Sequence, residues 1–145
     1  MPEIMLLGVE EQVLTLEPDE NPADSFPCMS CESVHAEMRT QLYAQLLSIF
    51  YDDAESLEQL VLELGAEGPY VFKLDVTITE RLAEIEEDDI ETIVQYWSDS
   101  AEMSDLGLAD EDLQDMLSRF LYNLMHFCML VRQEEVLSVF IYSDG

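Results

Sequence analysis

The sequence predicts an α+β fold: a mainly helical single domain over 1–145, with a small sheet formed from the N-terminal, central and C-terminal strands. Three observations carry that expectation. Apolar residues make up 48% of the 145, enough to bury one core and too many for a disordered acidic tail. Apolar side chains recur at three- and four-residue steps over 34–64, 82–97 and 113–131, the period of a helix with one buried stripe. Short runs rich in β-branched and aromatic residues stand near both ends and around residue 72, where such side chains suit a pleated surface.

Residues 4–16 hold two apolar runs around Gly8 to Gln12 and read as strands or a hairpin. Residues 17–32 carry Pro18, Pro22 and Pro27 among polar residues and read as a proline-rich loop. From Ser33 the period changes, and Val34, Met38, Leu42, Leu46, Ile49 and Phe50 form one helical stripe. Asp52 and Asp53 interrupt it. Leu57, Leu60, Val61 and Leu64 then continue the helical spacing up to Gly65, a suitable stop. The reading is one long helix or a pair broken near Asp52.

Gly68 and Pro69 mark a turn, and Tyr70 to Val76 reads as a strand alternating Tyr70, Phe72 and Leu74. Thr77 with Glu80 fits a capping box, and Asp88 with Glu91 resembles an Asp-led one. Two consecutive helices, or one bent helix, satisfy both signals, with Leu82, Ile85, Ile90, Ile93, Val94 and Trp97 toward the core. Ser98 to Ala109 is a polar connector. Asp110 opens the clearest helix, whose broad apolar face runs from Leu113 to Val131, and Val136 to Tyr142 closes the fold as a strand.

Charge narrows function more than any motif. Five basic against 33 acidic side chains give a net charge of −28. The first 38 residues contain no Lys or Arg, and none lies between Arg39 and Lys73, so no local basic patch can displace counterions from a nucleic acid or an anionic membrane. We therefore expect no direct nucleic-acid contact and no membrane association. The longest apolar stretch, Phe120 to Val131, is broken by Asn123 and His126 and falls short of the roughly 18 residues of a span. The N-terminus lacks the basic flank of a secretory signal. Together with three cysteines that cannot all pair with one another, that points to a reduced, cytoplasmic setting.

Cys28-Met-Ser-Cys31 with His35 is the one spacing that resembles a metal or dithiol site. A strong zinc signature needs a second knuckle, which this chain lacks, so incidental loop cysteines are the plainer reading. His126 has no nucleophile motif beside it, Cys128 two residues on faces elsewhere, and the five scattered glycines build no phosphate loop. The acidic runs do not alternate as an EF-hand does. We expect no catalytic residue, metal or cofactor.

The carboxylates are the candidate binding residues. Glu84, Glu86, Glu87, Asp88, Asp89 and Glu91 place six acids in eight positions, and Asp110, Glu111, Asp112 and Asp115 crowd the start of the last helix. Some of these acids serve helix N-termini, and any charge run also keeps a face solvated. Yet solubility needs a net charge magnitude of only about 2–8 in a small domain. Rows of carboxylates can imitate a phosphate array and attract a protein built to meet one, with Tyr96, Trp97 or Tyr51 as an aromatic anchor.

The expected function is thus an acidic protein-binding module of inhibitor, immunity or nucleic-acid-mimic type. As monomer or dimer it would mask a basic partner such as a nuclease toxin or DNA-binding protein. The second reading is a small acidic chaperone or adaptor for an exported or unstable protein. Adaptation to a salt-rich cytoplasm ranks below both.

Overall fold

The computed structural model describes residues 3–31, 34–99 and 110–143. It is an α+β domain in which helices cover one face of a five-stranded antiparallel sheet. The strands are β1 (Glu3–Val9), β2 (Cys28–Ser30), β3 (Glu58–Glu63), β4 (Tyr70–Leu74) and β5 (Leu137–Ser143), in the order β2-β1-β5-β4-β3. The three strands anticipated from the N-terminal, central and C-terminal runs form the contiguous middle of the sheet. Two unanticipated strands supply its edges.

Both edges correct the sequence reading. The proline-rich loop contains β2, which pairs with β1 through Ile4–Ser30, Met5–Met29 and Leu6–Cys28. The stretch assigned to a second helix is β3, paired with β4 and bulged between Leu60 and Leu62. Leu57, Leu60, Val61 and Leu64 fit a helical period, but Leu60, Leu62 and Leu64 also alternate. The ladder to β4 decides between the two patterns.

The helices are α1 (Glu10–Val13), α2 (Ala36–Leu47), α3 (Tyr51–Ala54), α4 (Val76–Ala83), α5 (Glu87–Ser98) and α6 (Asp110–Gln133). The second apolar run near the N-terminus is therefore a helical turn, not the partner strand of a hairpin. Ser48, in the left-handed conformation at φ 56°, ends α2 seventeen residues before the anticipated stop at Gly65. Asp75, not Thr77, caps α4, its carboxylate accepting from the Thr77 N–H at 2.8 Å. At α5 the cap position is Glu86, with no side-chain cap bond, so Asp88 is a first-turn acid and not a cap. Of the polar connector, residues 100–109 lie outside the described residues.

Strand alternation divides the core in two. Met5, Leu7, Leu74, Val139 and Ile141 point toward α2, α4, α5 and α6, while Leu6, Val71 and Phe140 point to the other face. There Val13, Leu16 and Phe26, from α1 and the proline-rich loop, cover them. Gly8 is required at this contact, because a Cβ would sit 2.7 Å from the Phe26 ring. Helix α5 packs antiparallel to α6: Arg132 Nη1 donates to the Ala83 carbonyl just before α5 begins, and Trp97 near its end meets the Phe120 ring at 6.2 Å. No helix among the described residues is long and apolar enough to cross a membrane.

Candidate protein-binding surface

Most of the few cations serve contacts between elements, while Arg119 is exposed on α6. Arg39 is 1% exposed and pairs with Glu58 at 2.8 Å and Glu3 at 3.0 Å. Lys73 pairs with Glu10 at 2.8 Å. Arg81 Nε donates to the Leu46 carbonyl in the last turn of α2. Arg132 donates to the Ala83 carbonyl at the end of α4. Four of the five basic side chains thus tie one element to another. The acids Glu84, Glu86, Glu87, Asp88, Asp89, Glu91, Glu111, Asp112 and Asp115 are all exposed; the side chain of Asp110 lies outside the described residues.

The two acidic runs do not merge into one array. Antiparallel packing sets the start of α5 toward the second half of α6 and the end of α5 toward its first half. Between these poles the helices share a furrow lined by Glu87, Glu91, Gln114, Ser118 and Tyr122. At 100° per residue, Glu111 falls on the furrow side of α6 with Gln114 and Ser118, Asp115 on its outer lip, and Asp112 turns away. Helix α5 is therefore a ridge: Glu87 and Glu91 line its α6 flank, Asp88 and Asp99 its crest, and Asp89 and Tyr96 its opposite flank.

That opposite flank borders a groove of about 920 Å³. Ala44 and Gln45 of α2, Ile49 and Phe50 of the connector, and Ile93 and Tyr96 of α5 line it. The Gln45 amide donates to the Ile93 carbonyl at 3.2 Å and holds the two walls together. Phe50 is 82% exposed and Tyr96 72% exposed. The lining includes Asp99 and no Lys, Arg or His, and the exposed Asp52 and Asp53 follow at once on α3.

Among the aromatic anchors expected from sequence, Tyr96 is available and Tyr51 is half-buried in the same lining. Trp97 is a correction. It is 1% exposed, with its indole N–H donating to the Met38 carbonyl at 2.8 Å, and so belongs to the core. Its spacing with Ile90, Ile93 and Val94 marks the core stripe, and that signal outweighs its reading as an anchor. Phe50 went unnoticed because it fits the stripe of α2; the left-handed Ser48 turns the chain and carries it outward.

The buried Arg39 cluster was also missed. Its guanidinium holds Glu58 bidentately (2.8 and 2.9 Å), bonds Glu3, and donates to the Val34 carbonyl at 2.9 Å, while the Tyr43 hydroxyl donates to Glu58 at 2.6 Å. Burial alone would lower the Arg39 pKa, but the Glu58 and Glu3 carboxylates more than reverse that, so Arg39 stays charged. Burial, and then the Glu58 charge, hold Tyr43 protonated. The cluster locks α2, one wall of the groove, to β1 and β3.

Cys28, Cys31 and Cys128 are free thiols. Burial pushes Cys31 and Cys128 up to about 12 and raises Cys28. His35 is exposed at the start of α2, and the His126 ring meets that of Tyr122 at a 59° tilt outside the core face. Among the described residues no group of three or more His, Cys, Asp or Glu side chains could hold a metal ion. No family model matches the chain, and neither a curated protein nor a solved structure matches it.

Proposed function

We propose that this protein is an acidic binding module that masks a basic surface of a partner protein, as an inhibitor, immunity protein or nucleic-acid mimic does. The observation that carries the reading is the disposition of charge. Arg39, Lys73, Arg81 and Arg132 are engaged in contacts between elements, while the acids of α5 and α6 described above are exposed. A field of one sign accelerates encounter with an oppositely charged partner and repels nucleic acid.

The test is affinity capture from the source cell's lysate at low salt, elution by a salt gradient, and titration of the purified partner by calorimetry. The reading requires a basic protein whose affinity falls about tenfold or more between roughly 50 and 300 mM NaCl. Salt-insensitive binding of a neutral or acidic protein, or failure to retain any basic protein, overturns it. A retained partner that is captured only when unfolded would transfer support to the adaptor reading.

A further inference from the structure

The groove between α2 and α5 identifies the contact that such a partner would make. We propose that it receives an amphipathic segment of the basic partner: Phe50 and Tyr96 meet its apolar side, and Asp52, Asp53, Asp89 and Asp99 meet its Lys and Arg side chains. The proposal rests on the binding function above and adds where, and by what chemistry, the partner is held.

The fold does not require these aromatics to be where they are. Phe50 serves folding through its backbone, whose carbonyl accepts from the N–H groups of Asp53 and Ala54 at 3.1 Å and starts α3. Any side chain would permit that. A phenylalanine instead stands 82% exposed opposite a tyrosine 72% exposed, across a floor of Ala44 and Ile93. Burying either ring is favourable by roughly 1.5–3 kcal/mol, so the groove offers apolar affinity in addition to charge.

Charge complementarity selects the occupant. Asp99 belongs to the lining, Asp52 and Asp53 adjoin Phe50, and Asp89 lies two turns before Tyr96 on the same flank of α5. A second copy of this chain would bring the same carboxylates face to face, and a nucleic acid would meet the same repulsion. A segment with Lys and Arg around an apolar stripe satisfies both the rim and the floor. The length of α5 admits about three helical turns of it, some 18 Å.

The test uses two labelled peptides of about 15 residues with equal positive charge. One places Leu at helical spacing among Lys, and the other replaces every Leu by Ser. Titration into the intact protein, followed by fluorescence anisotropy, should give about tenfold tighter binding of the Lys/Leu peptide. The variant F50S/Y96S should abolish that advantage while leaving the Lys/Ser affinity within about twofold. Because both side chains are exposed, its far-UV circular dichroism should match the wild type.

Amide shift mapping on the unsubstituted protein gives a second readout that does not depend on the variant. The Lys/Leu peptide should perturb Ser48 to Tyr51 and Thr92 to Asp99. Equal affinity of both peptides, an unaffected variant, or shifts confined to other surfaces overturns the groove and leaves the acidic-module reading standing. Failure of either peptide to bind in a salt-dependent way removes both. A wild-type dimer in sedimentation that F50S/Y96S dissociates would make the groove a self-interface and overturn the proposal.

Discussion

Replacing Arg39 by methionine tests how the wall of the groove is held. The substitution retains most of the buried stem and removes the guanidinium. Lost with it are the bidentate pair to Glu58, the contacts to Glu3 at 3.0 and 3.5 Å and the bond to the Val34 carbonyl. Left behind are two carboxylates, 11% and 21% exposed, with no cation between them. Removing one partner of a buried pair costs about 3–5 kcal/mol, because the remaining charge is desolvated and uncompensated. Against a total stability of roughly 5–15 kcal/mol for a domain of this size, R39M should be close to unfolding. Urea denaturation followed by the fluorescence of Trp97, the one tryptophan, and by far-UV circular dichroism measures the loss. E58Q removes one stranded charge, so R39M/E58Q should be more stable than the sum of the single losses by about 1–3 kcal/mol. An R39M variant within about 1 kcal/mol of the wild type, or an additive cycle, would refute the view that this cluster locks α2 to the sheet.

Three further outcomes are expected. Folding holds the Cys31 and Cys128 thiols at about 12 against an ordinary 9.0; an unfolded chain therefore loses these protons first, and stability should fall as pH rises from about 9 to 12, by about 4 kcal/mol per thiol. Alkaline titration by circular dichroism checks the direction, and C128A should shift the transition upward in pH. The self-repulsion of −28 charges should make the melting temperature rise with NaCl between about 10 and 500 mM, by several degrees in differential scanning calorimetry. W97F leaves the Met38 carbonyl without its donor and opens a void beside Phe120, a loss of about 2–3 kcal/mol in chemical denaturation followed by circular dichroism.

What was legible in the sequence was what local pattern dictates. The strands at 3–9, 70–74 and 137–143 declare themselves through β-branched and aromatic runs, and α6 through an unbroken apolar face. What was not legible depends on partners distant in the chain. The segment Glu58–Glu63 becomes a strand because β4 is beside it, and Cys28–Ser30 because β1 is. Arg39 is ringed by Glu3 and Glu58, 36 and 19 residues away, so no window around it discloses that it is buried. At the site, periodicity placed Trp97 on the core stripe with Ile93 and Val94, and the buried indole follows that signal and not its alternative reading as an anchor. The acidic runs were visible as composition; their separation along α5 and α6 follows from the antiparallel packing of those helices.

The same packing explains why so acidic a chain can fold around so few cations. Arg81 and Arg132 meet carbonyls in the last turns of α2 and α4, where the helix dipole is negative and a cation is most effective. Asp52 and Asp53, Glu87 to Asp89, and Glu111 and Asp112 stand in the first turns of α3, α5 and α6, where the dipole is positive and part of their mutual repulsion is offset. These acids have a structural reason for their positions. Glu91, Asp99 and Asp115 do not: Glu91 and Asp115 lie beyond the first turn, where the dipole has faded, and Asp99 caps the C-terminus of α5, where the dipole is negative and opposes a carboxylate. The case for recognition is strongest at those three residues and at the aromatics of the groove, because folding gains least from placing them there.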